Sequence, residues 1–421
     1  MFKKIILKNG LRIITVPQKT SQAVTVLVLV ATGSKYEKKE VNGISHFLEH
    51  MFFKGTKKRP TARKVAETLD KIGGLYNAFT GEEYTGYFAK VDFRHWEQAL
   101  EWVSDIYFNS QLPEKEIAKE RNVIIEEINM YQDSPIKYVG ILWTKLLYGD
   151  QPAGWPVAGT KESVSRISRP DLISYLESQY AAQNTIICLA GRIEPSKAVD
   201  KIKQYFSKIK NKKLFSKPKV LENQTKPECL LYEKNTDQTH FCLGVRGYNI
   251  FHPQKYAQEV LSVILGGMMS SRLFIEVREK LGLAYYINTS EETDTDTGFV
   301  VTQAGVDNKR VEKAIEVILR EYKKISQKKV PFLELKKAKE YIKGKMALLL
   351  ETSDAQASFF GAQELLENKI LTPEQIYKKI DEVDQNDILK VARDIFKAEK
   401  LNLAIIGPFQ DKNKFEKLLI L

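Results

Sequence analysis

Apolar and polar positions along this 421-residue chain fall into two periodicities, which separate short strands from long helices. Ala23-Val-Thr-Val-Leu-Val-Leu-Val30 and Phe88-Ala-Lys-Val91 are rich in β-branched and apolar residues without helical spacing, and they predict strands. Asn9-Gly10, between two short apolar runs, predicts a hairpin turn. Segments 61–72, 94–108 and 113–131 carry apolar residues at helical spacing and predict helices. The last has Pro113 in its first turn and Asp133-Ser134-Pro135 as its stop. Its apolar stripe runs Ile117, Ile124, Ile128, Tyr131. At about 100° per residue, Glu120 and Glu127 fall on the striped side, and Glu126 points nearly opposite. Strands and helices come in groups rather than in strict alternation, which predicts an α+β fold.

The pattern also repeats. Ser163–Gly191 aligns without gaps on Lys379–Gly407, always 216 positions apart: Asp387 against Asp171, Phe396 against Tyr180, Gly407 against Gly191. Each copy reads as a capped amphipathic helix, a short loop, and an apolar β-run ending in Gly. Repetition at half the chain length predicts two similar halves, each an antiparallel-rich mixed sheet packed with helices. The stretch 211–228 is polar, carries Pro218 and Pro227, and has no clear period. It is expected to link a first half, 1–210, to a second, 229–421.

Composition narrows the class. Apolar residues make up 43% and charged residues 28%, which suits a soluble globular chain. No apolar run reaches membrane-spanning length, and the N-terminal residues have too many charges for a secretory leader, so cytoplasm is the expected location. The net charge of +12 raises the question of nucleic acid. Lysines are nevertheless spread along amphipathic segments and interleaved with Glu and Asp, and no basic run carries the aromatics of a strand-binding protein. Neither nucleic acid nor membrane is expected as a partner. Three cysteines, Cys188, Cys229 and Cys242, have no metal-ligand spacing and argue against a disulfide framework.

The candidate chemistry sits in His46-Phe-Leu-Glu-His50. Helical residues at i and i+4 share a face, so both imidazoles reach one metal ion with Glu49 beside them. This is the order found in the inverted zinc peptidases. Among only five histidines, such a motif is improbable by chance. Catalytic zinc usually takes three protein ligands, and an unpaired carboxylate on an apolar face needs a metal or a cation. Glu127 is therefore the candidate third ligand and Glu120 its supporting carboxylate. Pairing of both with buried Arg or Lys is the structural alternative. The second half has no such motif: there a strand is expected at His240–Arg246 and an apolar, ligand-free helix at Tyr256–Leu265.

His46-Phe-Leu-Glu-His-Met-Phe-Phe-Lys-Gly55, Asn77-Ala-Phe-Thr80, Glu120-Arg-Asn-Val-Ile-Ile-Glu-Glu127 and Ser271–Tyr285 together resemble the pitrilysin/insulinase family of zinc metallopeptidases. Within it they resemble the branch of mitochondrial processing peptidase and its bacterial relatives. The resemblance covers nearly the whole chain. It implies one zinc ion per chain, held by His46, His50 and Glu127, with Glu120 in support and Glu49 as general base. It implies that Arg278 and Tyr285, in the half without metal, reach the substrate. Independently of the resemblance, Leu75–Thr80 alternates after Gly73-Gly74 and reads either as an edge strand that pairs with an extended peptide at Asn77, Ala78 and Phe79 or as an ordinary sheet edge. The activity implied is endopeptidase cleavage of unstructured peptides, in a homodimer or a heterodimer with a related chain. The rival reading is a non-catalytic structural or assembly subunit of the same family.

Overall fold

The structure, a computed structural model, describes residues 2–212 and 214–421; Met1 and Lys213, the latter inside the expected linker, lie outside the described residues. Eleven strands form two mixed sheets among these residues. The first comprises β1 (Lys3–Ile6), β2 (Arg12–Pro17), β3 (Ala23–Val30), β4 (Leu75–Thr80), β5 (Thr85–Asp92) and β6 (Thr185–Gly191), in the order β1-β2-β6-β3-β5-β4. Only β2 and β6 run parallel in it. The second comprises β7 (Glu228–Glu233), β8 (Gln238–Arg246), β9 (Ala284–Thr293), β10 (Gly298–Asp307) and β11 (Leu401–Gly407), in the order β7-β11-β8-β10-β9, with β7 and β11 parallel. Removing β1 from the first sheet leaves the same five-strand order as in the second. The fold is α+β with two similar halves.

The sequence repeat has a structural counterpart. Helix Arg169–Gln179, a short turn at Ala182–Asn184 and β6 recur 216 positions later as Gln385–Ile395, Ala398–Lys400 and β11. Each helix starts with a reciprocal cap. The Ser168 side chain accepts from the Asp171 N–H and the Asp384 side chain from the Asp387 N–H, while each N3 carboxylate accepts from the capping residue's own N–H.

Two compact units emerge, and each contains a segment from the opposite half of the sequence. The first holds Met1–Asn129, Trp155–Pro218 and Leu348–Leu371; the second holds Met130–Gly154, Lys219–Ala347 and Thr372–Leu421. The reason is burial on both faces of each sheet. In β3, Val24, Val26, Val28 and Val30 face one core together with Phe47, Leu48, Met51 and Phe52. Leu27 and Leu29 face the other way, with Ile14, Val16, Ile186 and Cys188, and that face is covered by Ala357, Phe360 and Leu365 of helix Ser353–Glu367. A strand buried on both sides must be apolar throughout, which explains the unbroken run at 23–30. In the second unit, helix Pro135–Tyr148 lays Val139, Leu142, Trp143 and Leu147 on Cys242, Phe299, Ala404 and Ile406.

The polar stretch between the sheets is anchored by side chains. Lys217 Nζ lies 2.8 Å from Glu83 Oε1 in the first unit, and Gln224 bonds Leu401 O and Asn402 in the second. All three cysteines are free and buried. Among the described residues no helix is long and apolar enough to cross a membrane.

Candidate metal centre

The two histidines lie on the helix Ile44–Phe52. Its start is sharply defined. Gly43 takes φ +94°, where a Cβ would stand 2.7 Å from Ala158 O, so only glycine fits the approach. Glu37, 5% exposed, caps the helix. One of its oxygens accepts from the Gly43 N–H and the Asn42 side chain, and the other from the Ser45 N–H. Burial pushes the Glu37 carboxyl up to about 7, although these bonds pull it down. Phe47, Leu48, Met51 and Phe52 are fully buried, worth roughly 2 kcal/mol each. They leave His46, Glu49 and His50 on the open face of the helix.

The helix Glu114–Asp133 supplies the carboxylates. Ile117, Ile124 and Ile128 anchor it in the core of the first unit. Glu120 is buried and Glu127 half-buried, while Glu126 is exposed. His46 Nε2 and His50 Nε2 stand 3.3 Å apart, and Glu127 Oε2 is 3.7 Å from each. A tetrahedral ion with ligands at about 2.0–2.1 Å separates its ligand atoms by about 3.4 Å, so this triangle fits zinc. Two imidazole nitrogens facing each other at hydrogen-bond range cannot both present lone pairs without repulsion, and a shared cation removes that conflict. Burial, and then the neighbouring His50, hold His46 down at about 3, which keeps its ring neutral as metal ligation requires.

Around this triangle the structure places further groups. Glu120 Oε2 accepts from His50 Nδ1 at 3.0 Å, and its other oxygen meets Lys54 Nζ at 2.6 Å. The first contact orients the ring and directs the second nitrogen toward the site. Burial resists ionisation of Glu120, but the His50 and Lys54 contacts outweigh it and hold its carboxyl below the ordinary value. Glu49 Oε2 accepts from the Thr80 hydroxyl at 2.6 Å. Burial raises the Glu49 carboxyl above its ordinary value, opposed by Thr80 and His50 and reinforced by Glu127.

The remaining sequence candidates are Asn77, Ala78 and Phe79 on β4 and Arg278 and Tyr285 in the second half. β4 is an edge strand. Asn77 is exposed and its Oδ1 accepts from the Ala78 N–H at 2.9 Å; the Ala78 side chain is buried, and Phe79 packs against the core on the opposite face of the sheet. Arg278 and Tyr285 belong to the second unit. The Arg278 guanidinium stacks 4.8 Å from the Phe274 ring centre, and Tyr285 is 76% exposed at the start of β9. The turn between them, with Gly282 at φ +53°, is held by Arg310, which donates to the carbonyls of Leu281 and Gly282.

Sequence reasoning missed Glu37, Lys54 and Thr80. Lys54 lies past the end of the histidine helix, and its partner Glu120 comes from a separate helix. Glu37 and Thr80 act through contacts between elements and leave no local pattern.

The sequence profile of Insulinase (Peptidase family M16) matches residues 12–161, and that of the Peptidase M16 inactive domain matches residues 166–342. The chain is similar to the uncharacterized zinc protease YmxG of Bacillus subtilis, 37% identical over 409 residues that cover 97% of this chain and 98% of that protein. It is 34% identical over 405 residues to an uncharacterized zinc protease of Rickettsia felis, covering 96% of each. The crystal structure of a protease from Helicobacter pylori has a similar fold, with a TM-score of 0.90 and 24% identity, covering 97% of this chain and 99% of that one.

Proposed function

The chain belongs to the insulinase family of peptidases, family M16, and from that premise we propose that it is a zinc-dependent endopeptidase acting on unstructured peptides. The observation that carries the proposal is the convergence of His46, His50 and Glu127 within ligand range of one ion, with the Glu49 carboxylate on the same helix face. That the relatives are named zinc proteases supports the choice of metal. Zinc bound there would supply Lewis-acid chemistry, making water acidic near neutrality and polarising a peptide carbonyl.

The rest falls to side chains. His46 and His50 turn their Nε2 atoms toward the site, and Glu120 keeps the His50 ring in place through Nδ1. Glu49 takes a proton from water at the oxygen not bonded to Thr80, then gives it to the departing amine. An extended peptide would add to the free edge of β4, with the Asn77 carboxamide leaving the Ala78 N–H to a substrate carbonyl. Arg278 and Tyr285 would contribute donors to the substrate. Such a site favours flexible peptides over folded proteins, and pairing with a second chain would enclose it.

The test is metal analysis combined with cleavage of an unstructured peptide library, with and without chelator. Near-stoichiometric zinc and chelator-sensitive cleavage support the proposal. Bound zinc without cleavage would favour a non-catalytic subunit.

A further inference from the structure

We propose that Thr80 is a positioning residue for the general base: its hydroxyl fixes one oxygen of Glu49 and leaves the other for the reacting water. The inference rests on the peptidase reading above and adds a residue to it. A glutamate side chain has three rotatable bonds, and a base must stand within hydrogen-bond reach of its proton in the right orientation. The Thr80 hydroxyl donates to Glu49 Oε2 at 2.6 Å, at the short end of the O–H···O range.

The donor itself is held in a rigid frame. Thr80 is the last residue of β4 and pairs with Thr85 of β5. The turn that follows is closed by the Gly81 N–H on Tyr84 O at 2.9 Å. Its carbonyls are gripped from the neighbouring turn: the Ser34 N–H bonds Gly81 O at 3.2 Å and the Lys35 N–H bonds Glu82 O at 2.9 Å. Lys35 Nζ pairs with Glu83 Oε1 at 3.3 Å, with both side chains 3% exposed. Gly33 sits so close that a Cβ there would stand 2.2 Å from Gly81 O. This turn, closed on itself and gripped by its neighbour, begins at the residue whose hydroxyl holds Glu49. The arrangement also joins two functions on one strand, since the edge proposed to receive the peptide carries the group that aims the base.

The experiment compares Thr80→Val, which keeps the shape and removes the donor, with Thr80→Ser, which keeps the donor. Four quantities are read on each full-length protein. They are zinc content, kcat and KM on an unstructured fluorogenic peptide, Kd of that peptide for the zinc-free protein, and the Glu49 carboxylate band in infrared difference spectra against the Glu49→Gln counterpart. The expected result for Thr80→Val is a kcat lower by about 10- to 100-fold, the cost of a misplaced group, with KM, zinc content and Kd unchanged and the carboxylate band shifted. Thr80→Ser restores both kcat and band. An undiminished Thr80→Val kcat in a chelator-sensitive enzyme overturns the positioning role alone. So does a serine variant as impaired as the valine one, or a valine variant that loses zinc or peptide affinity. Absence of chelator-sensitive cleavage by the wild type overturns the peptidase reading and this role with it, while the infrared band still reports whether the bond exists.

Discussion

At the scale of single residues, the proposed mechanism gives the two oxygens of Glu49 different work: one is held by Thr80 and the other would be left for proton transfer. A glutamine there keeps an acceptor for Thr80 but cannot take a proton. Glu49→Gln is expected to retain zinc and lose about 10²- to 10⁴-fold in turnover, measured by elemental analysis beside peptide cleavage; loss of metal in that variant would contradict the assignment. Glu126 and Glu127 are adjacent in sequence and opposite in role, one exposed and one 3.7 Å from both imidazole nitrogens. Glu127→Gln should lower zinc affinity by more than the roughly 10- to 100-fold typical of partners outside the ligand shell, and Glu126→Gln should leave it unchanged. Competition with a chromophoric chelator decides between them. The His46–Glu49–His50 face and the Glu120/Glu127 face could be read from the sequence because each lies on one helix, where periodicity alone fixes direction. Thr80 and Lys54 could not, because their partners, Glu49 and Glu120, are brought near by tertiary packing.

At the scale of elements, the histidine helix depends on its first turn. Glu37 holds the Gly43 and Ser45 N–H groups, yet burial leaves its carboxyl at about 7. A folded-state value above the unfolded 4.5 means the folded protein binds the proton more tightly. Stability from this group is therefore fully present below pH 4.5 and declines as pH rises through 7. Relative to Glu37→Gln, the wild type should lose up to about 3 kcal/mol across that window, read as diverging urea midpoints; parallel pH profiles would remove Glu37 from the linkage. This cap escaped sequence reading because its acceptor lies six and eight residues before the groups it caps, outside any short capping motif. The helix–turn–strand repeat was legible for the opposite reason. Its caps, stripe and strand are all local, so Ser168–Gly191 and Asp384–Gly407 carry the same signals in the same order.

At the scale of the molecule, two similar halves were foreseeable but the exchange of helices between them was not. An amphipathic stripe shows that a helix is buried, not which sheet buries it. Helix Ser353–Glu367 closes the face of β3 and β6 opposite the histidine helix, and helix Pro135–Tyr148 packs on the second sheet. Residues 1–210 produced alone would leave Ile14, Leu27, Leu29, Ile186 and Cys188 uncovered. That fragment is expected to aggregate or bind a hydrophobic dye, and a monodisperse, cooperatively unfolding fragment would refute the expectation.

The exchange also bears on how the molecule comes apart. A protease nick between Lys210 and Glu228 cuts the backbone but releases neither piece, because each retains a helix seated in the other's core. The nicked protein should elute from gel filtration as one species and separate only in denaturant, clasped like a buckle whose strap has been cut.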